Sequence, residues 1–249
     1  MFYHQLAQMD EAASHKVAAS SKAYLLGLMF ICLLVYLSNI FLINSQFKFY
    51  YWLLHCGFEE YKTDFVTSTL RLSIYNILRI GFVLVGLKVY GLSLPEIGWQ
   101  KDINWKKLFL SILSVLLFML IVGSATTIIK YGVAPVYAVQ LSDTWGNLHN
   151  SVVWFYFVII VIASPLEEIF YRGFLQTAVE KKLGFKYAII LTSVCYALMH
   201  GRVSLNLPQH LLSGILFGFI KKWDRSLWSC SMAHLVMNML VVWFSITYH

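Results

Sequence analysis

Apolar runs separated by short polar connectors follow one another along most of this 249-residue chain. They predict helical spans near 23–43, 69–91, 108–130, 151–165, 187–200, 208–221 and 228–247, the fourth continuing as an amphipathic helix to about 180. A span facing lipid on all sides needs about 20 residues. The three runs shorter than that, 151–165, 187–200 and 208–221, should be shielded by neighbouring helices or extended by polar turns. The piece Lys48 to Phe58, rich in Tyr and Trp, reads as an interfacial belt or a partly inserted helix, with an eighth span there as the alternative. The expected fold class is therefore all-α, a polytopic integral membrane protein with about seven transmembrane helices, or eight if that piece also spans.

Three regions follow from this pattern: a polar N-terminal tail at 1–22, a first transmembrane region at 23–145 and a second at 150–247. The connector Leu92 to Lys107 contains Leu-Pro-Glu-Ile-Gly-Trp and ends in Trp105-Lys-Lys, as a cytoplasmic loop with interfacial anchors would. The polar loop Tyr131 to Ser151, with Asp143, Trp145, Asn147 and His149, reads as an external link between the two halves.

Composition strengthens the membrane reading: 59% of residues are hydrophobic and only 12% charged, and the mean hydropathy is +0.68. The net charge of +7 does not point to nucleic acid, because the basic residues sit in short loops and form no recognition stripe. They fit the positive-inside bias instead. With the N-terminus in the cytoplasm, inside segments carry Lys16, Lys22, Lys88, Lys101, Lys106, Lys107, Lys181, Lys182, Lys186, Lys221, Lys222 and Arg225. Outside segments carry only Lys48, Lys62, Arg71, Lys130 and Arg202. Cys32, Cys56, Cys195 and Cys230 are scattered and read as small core residues rather than a disulfide frame or metal site. The start of the chain, with Asp10, Glu11, Lys16 and Lys22, is unlike a cleavable signal peptide, so the first span should be retained.

The second half carries charge where a bilayer should be. Ala163-Ser-Pro-Leu-Glu-Glu-Ile-Phe-Tyr-Arg-Gly173 sets two carboxylates and an arginine directly after an apolar run. On a helix Glu168 and Arg172 lie one turn apart and can pair, while Glu167 is rotated by roughly 100° toward another helix. A second signal is His200, one turn after Tyr196. A third is His234 with Asn238, four residues apart on one helix face. Taken singly, each has a structural explanation, since a lone membrane His or Asn commonly joins helices. Together they are a functional-site expectation. Arg79, the stray charge of the first half, reads as snorkelling or bracing a helix.

These residue types suit attack of water on an amide. A glutamate can take the proton, a nearby histidine can orient the water, and a His–Asn pair can donate to the oxyanion. The same atoms offer a rival: Glu167, His200 and His234 could hold zinc or another divalent metal with an open position. No cofactor is otherwise implied. The metal-free alternative is favoured because Asn238 shares a helix face with His234, which suits two donors aimed at one oxygen. His-Glu-x-x-His, Gly-x-Ser-Gly and a membrane aspartate are all absent, so zincin, serine and aspartyl protease plans are poorly served.

The motif set resembles the CAAX protease and bacteriocin-processing (Abi) family of intramembrane endopeptidases. Glu-Glu-Ile-Phe-Tyr-Arg resembles its Glu-Glu-x-x-x-Arg signature, and Tyr196-Ala-Leu-Met-His200 its Phe-x-x-x-His motif, with Tyr in place of Phe. His234-Leu-Val-Met-Asn238 resembles its His-x-x-x-Asn motif. Ser213-Gly-Ile-Leu-Phe-Gly218, Arg225-Ser-Leu-Trp228 and, more weakly, Pro95-Glu-Ile-Gly98 also fit. The resemblance implies that residues 150–247 are the catalytic core. Glu167 and His200 would activate water, His234 and Asn238 would stabilise the oxyanion, and Glu168 and Arg172 would support the site. The implied partner is a membrane-associated peptide or protein. Rival readings are a non-catalytic peptide-binding or bacteriocin-immunity protein using the same cavity, and a proton-coupled transporter. The latter is weakened by the lack of paired halves.

Overall fold

The computed structural model describes residues 2–100, 102–124, 160–200 and 207–247. Helix α1 runs Phe2–His55, α2 Glu60–Tyr90 and α3 Trp105–Phe118, the last continuing through a π-helical turn, Met119–Gly123. Helix α4 covers 160–183 and contains a π-helical segment, Ile169–Gln176. Helices α5, Phe185–His200, α6, Leu207–Asp224, and α7, Leu227–Thr247, complete the bundle. No strand occurs among the described residues. The loop 131–151, with Asp143, Trp145, Asn147 and His149, lies outside the described residues, as do Lys101, Lys130, Arg202 and the first part of the fourth expected span.

Sidedness of the side chains shows what solvent the bundle is built for. Leu26, Met29, Phe30, Leu33, Leu37 and Phe41 line exposed faces of α1, and Ile77, Leu84 and Val85 those of α2. Meanwhile Arg79, Glu168, Arg172, Gln176, Thr192, Ser193 and His234 are buried. A soluble protein inverts this arrangement. Three helical stretches, Lys22–His55, Phe65–Tyr90 and Trp105–Val122, are long and apolar enough to cross a bilayer, and Phe185–His200 and Leu227–Val241 are shorter apolar helices. The chain is a polytopic α-helical membrane protein.

Two expected boundaries move. The first helix is not confined to 23–43 but extends from Phe2 to His55, through both the expected tail and most of the interfacial piece. Lys48 to His55 therefore ends α1 rather than forming a separate element, and a short turn at Cys56–Gly57 leads to α2.

Two apolar clusters hold the helices together. One joins α1, α2, α4 and α5 through Leu28, Val35, Val83, Phe170, Phe174 and Ala188, with Ile97 and Leu227 at its edge. The other joins α3, α6 and α7 through Val115, Phe217, Ile220, Cys230 and Ala233. Small residues set the close approaches. Gly214 and Gly218 of α6 lie where an added Cβ would sit 3.0 Å from Ser193 and 2.5 Å from Ile189 of α5. This is the small-xxx-small contact that lets membrane helices meet at their backbones.

The connector between α2 and α3 ties both clusters at one end of the bundle. Gly91, in the left-handed region (φ 59°), closes α2 and returns its N–H to the Leu87 carbonyl. Farther on, Leu227 N–H donates to the Gly98 carbonyl at 2.9 Å and the Trp228 indole to the Gln100 carbonyl at 2.8 Å. A side chain at Gly98 (φ 91°) would run into Lys221 and the Arg225 carbonyl.

Candidate active site

Adjacent positions on α4 point its two glutamates at different helices; each meets one arginine, and Glu167 faces two histidines where Glu168 faces one. Glu167 Oε1 lies 3.2 Å from Arg79 Nη1 of α2, and its Oε2 lies 3.1 Å from His200 Nε2 of α5 and 3.9 Å from His234 Nε2 of α7. Glu168 Oε1 lies 2.8 Å from His234 Nδ1, and its Oε2 lies 3.5 Å from Arg172 Nε. The site is thus two Arg–Glu–His sets side by side, with both Nε2 atoms turned toward one oxygen of Glu167.

The other ring atoms decide which nitrogen carries a proton. His200 Nδ1 lies 2.9 Å from the Tyr196 carbonyl, which can only accept, so Nδ1 donates. Its Nε2 then faces Glu167 either as an imidazolium donor or across a shared proton or water. His234 Nδ1 likewise donates to the Glu168 carboxylate, leaving Nε2 to accept when the ring is neutral and to donate when it is charged. The Tyr196 hydroxyl lies 3.4 Å from that Nε2. Packing fixes both rings: Tyr196 lies 4.2 Å from the His200 ring centroid, and Phe217 stacks on His234 at 4.8 Å.

Burial separates the two carboxylates. Glu168 and Arg172 are fully buried, whereas Glu167 keeps 15% of its side chain exposed and His200 24%. The accessible carboxylate is the one a water or substrate can reach. Beside it an apolar cleft of about 360 Å³ opens between α2 and α4, lined by Ser73, Asn76, Ile77, Ile80, Ile162 and Leu166.

The π-helical segment begins directly after Glu168. Such wider turns insert within α-helices mostly at functional sites. Here Arg172 reaches Glu168 only at 3.5 Å, beyond the ~2.7–2.9 Å of a strong charge-assisted hydrogen bond. The guanidinium also lies over the Tyr196 ring at 5.2 Å. The local i,i+4 pairing expected for Glu168 and Arg172 is present but long, and His234 is the closer partner.

Of the six expected residues, Glu167, Glu168, Arg172, His200 and His234 form one contact network. Asn238 sits one turn beyond His234, with its Nδ2 donating to Ser164 Oγ at 2.8 Å. Ser164 in turn donates to the Ile160 carbonyl at 2.9 Å. Asn238 therefore ties α7 to α4 one turn before the glutamates. Sequence reasoning left two residues outside the site. Arg79 is 2% exposed and braces Glu167 rather than snorkelling. His210 of α6 lies with its ring centroid 5.2 Å from that of His200. Arg79 had a usable signal, a charge deep in an apolar run. His210 had none.

Among the described residues, no group of three or more His, Cys, Asp and Glu side chains is arranged to hold an ion. The second oxygen of Glu167 is already occupied by a guanidinium.

Residues 149–240 match the family described as Type II CAAX prenyl endopeptidase Rce1-like. That segment is similar to the CAAX-protease family. Comparison with curated proteins and with solved structures gives no match. The matched segment contains both glutamates, Arg172, His200, His234 and Asn238, while Arg79 comes from the half of the chain before it.

Proposed function

We propose that the protein is an intramembrane endopeptidase that cleaves a peptide bond of a membrane-associated protein or peptide with a glutamate-activated water. The observation that carries this reading is the convergence of His200 Nε2, at 3.1 Å, and His234 Nε2, at 3.9 Å, on one oxygen of the accessible carboxylate Glu167. A water held by Glu167 and His200 would pass a proton to the carboxylate as its oxygen attacks the carbonyl carbon. The tetrahedral oxyanion would then accept from a charged His234, whose Nδ1 proton rests on Glu168. Removing one such donor costs about 10²–10³-fold in rate elsewhere. Return of the proton from Glu167 to the leaving amine completes the exchange. The anchoring of Asn238 on Ser164 supports a second donor near that oxyanion. No step requires a metal, and none is routed through one.

The family description supports a prenylated CAAX-type peptide as the first substrate to try. The apolar cleft between α2 and α4 supports approach of a lipid-bearing peptide from within the bilayer. The positive-inside pattern supports a cytoplasmic N-terminus. The decisive experiment is cleavage of a farnesylated CAAX-type peptide by purified protein in detergent, wild type beside Glu167→Gln. Cleavage by the wild type alone is expected. Equal cleavage by both overturns the role of Glu167, and cleavage by neither favours the non-catalytic binding protein.

A further inference from the structure

We infer that Arg79, contributed by α2 outside the matched segment, is a positioning residue that aims Glu167. The inference rests on the reading of Glu167 as the base, but its geometry stands apart from that reading. Arg79 lies eleven residues before the end of α2 at Tyr90, a depth of roughly 16 Å at the rise of an α-helix. From there it stays in the bundle, 2% exposed, where an unpaired guanidinium is strongly disfavoured.

Its surroundings orient it. Nη1 donates to Asn76 Oδ1 at 3.3 Å, and the Tyr75 ring lies under Cζ at 4.4 Å. Among the described residues its ion pair is with Glu167 Oε1, at 3.2 Å. A carboxylate has two oxygens, and engaging Oε1 leaves Oε2 as the one facing both histidines. Without the guanidinium the carboxyl group can turn about its last bond, and Oε2 is no longer held toward the histidines.

The matching set makes the point sharper. Glu168 has its own Arg and His, but both come from within the matched segment and all three are buried. Glu167 has its His from that segment and its Arg from elsewhere. The first half of the chain is therefore part of the site's electrostatics as well as a membrane anchor.

Infrared difference spectra of full-length protein test this without a substrate. Wild type minus Glu167→Gln isolates the Glu167 carboxyl, and Arg79→Gln minus the double variant isolates it without the guanidinium. We expect narrow carboxylate bands in the first difference and shifted, broadened bands in the second, with Arg79→Lys between the two. Glu167 bands in Arg79→Gln that match the wild type overturn the inference. Should Arg79→Gln fail to fold, Arg79→Lys decides, because carboxylate bands that do not shift when the fork is lost overturn it too. In parallel, Arg79→Gln should lower kcat on the farnesylated peptide by about 10²-fold, with KM little changed and partial recovery in Arg79→Lys. An effect confined to KM also overturns the inference. A wild type that cleaves nothing counts against the protease reading, while the infrared result still decides Arg79.

Discussion

At the residue scale, the two adjacent glutamates differ in what they touch, and that difference predicts their substitutions. Glu168→Leu leaves the His234 Nδ1 proton and Arg172 without their carboxylate in a fully buried place. Breaking a buried pair from one side costs about 3–5 kcal/mol. Yield and thermal midpoint in detergent should fall markedly, whereas Glu167→Gln should leave a folded protein that turns over nothing. The reverse pattern, read by size-exclusion profile and peptide cleavage, would exchange the two assignments. The metal question is tested at the same scale. Chelation of active protein should leave cleavage unchanged, and loss of activity restored by added zinc would refute the metal-free step. Which residues are polar was legible from the sequence, because charge inside apolar runs stands out. Which of them meet was not. Contacts such as Arg79 with Glu167 and His234 with Glu168 depend on how separate helices are rotated about their axes. For Asn238, the shared face with His234 was legible, but its bond to Ser164 was not.

At the element scale, the small-residue face of α6 and the π-helical segment of α4 do different work. Ser213-Gly-Ile-Leu-Phe-Gly218 stood out in the sequence only as part of the family resemblance; in the fold Gly218 leaves a Cβ no room against Ile189. Gly218→Val should lower the thermal midpoint through overpacking worth about 1–3 kcal/mol. It should also reduce cleavage, because α5 carries His200 at its far end. A variant of unchanged midpoint would show that α5 and α6 do not meet there. The π-helical winding had no sequence signal. An eight-residue stretch, Ile169–Gln176, that reads as ordinary helix is wound wider by its neighbours, with Phe170, Tyr171 and Phe174 all buried in the core. The true length of α1 was equally hidden, since a polar start does not stop a helix from continuing beyond the bilayer.

At the scale of the whole molecule, the segments expected on the inside do meet at one end of the bundle. Tyr24 of α1 donates to the Ala178 carbonyl of α4, Lys107 of α3 pairs with Asp224 of α6, and Lys222 pairs with Glu180. The sequence did not show how the connector 92–104 clasps these ends. Its clasp is Glu96, 2.7 Å from Lys181 of α4, with Oε2 also accepting from Ser93 N–H and Oγ. Lys181 first, and then Ser93, push the Glu96 carboxyl down to about 2. A carboxyl depressed on folding adds stability that is fully present above its unfolded value, near 4.3, and is lost progressively as pH falls from there through its folded one. Hydrogen exchange in the connector, after correction for the intrinsic rate, should thus be slowest above about pH 4.3 and quicken steadily as pH falls toward 2. In Glu96→Gln it should be faster throughout and should not depend on pH in that window. The pair is exposed, so salt should weaken the protection. Exchange in the wild-type connector that does not change between about pH 5 and 2 would show that Glu96 titrates as an ordinary surface carboxyl and that the clasp is held by its backbone bonds to Leu227 and Trp228.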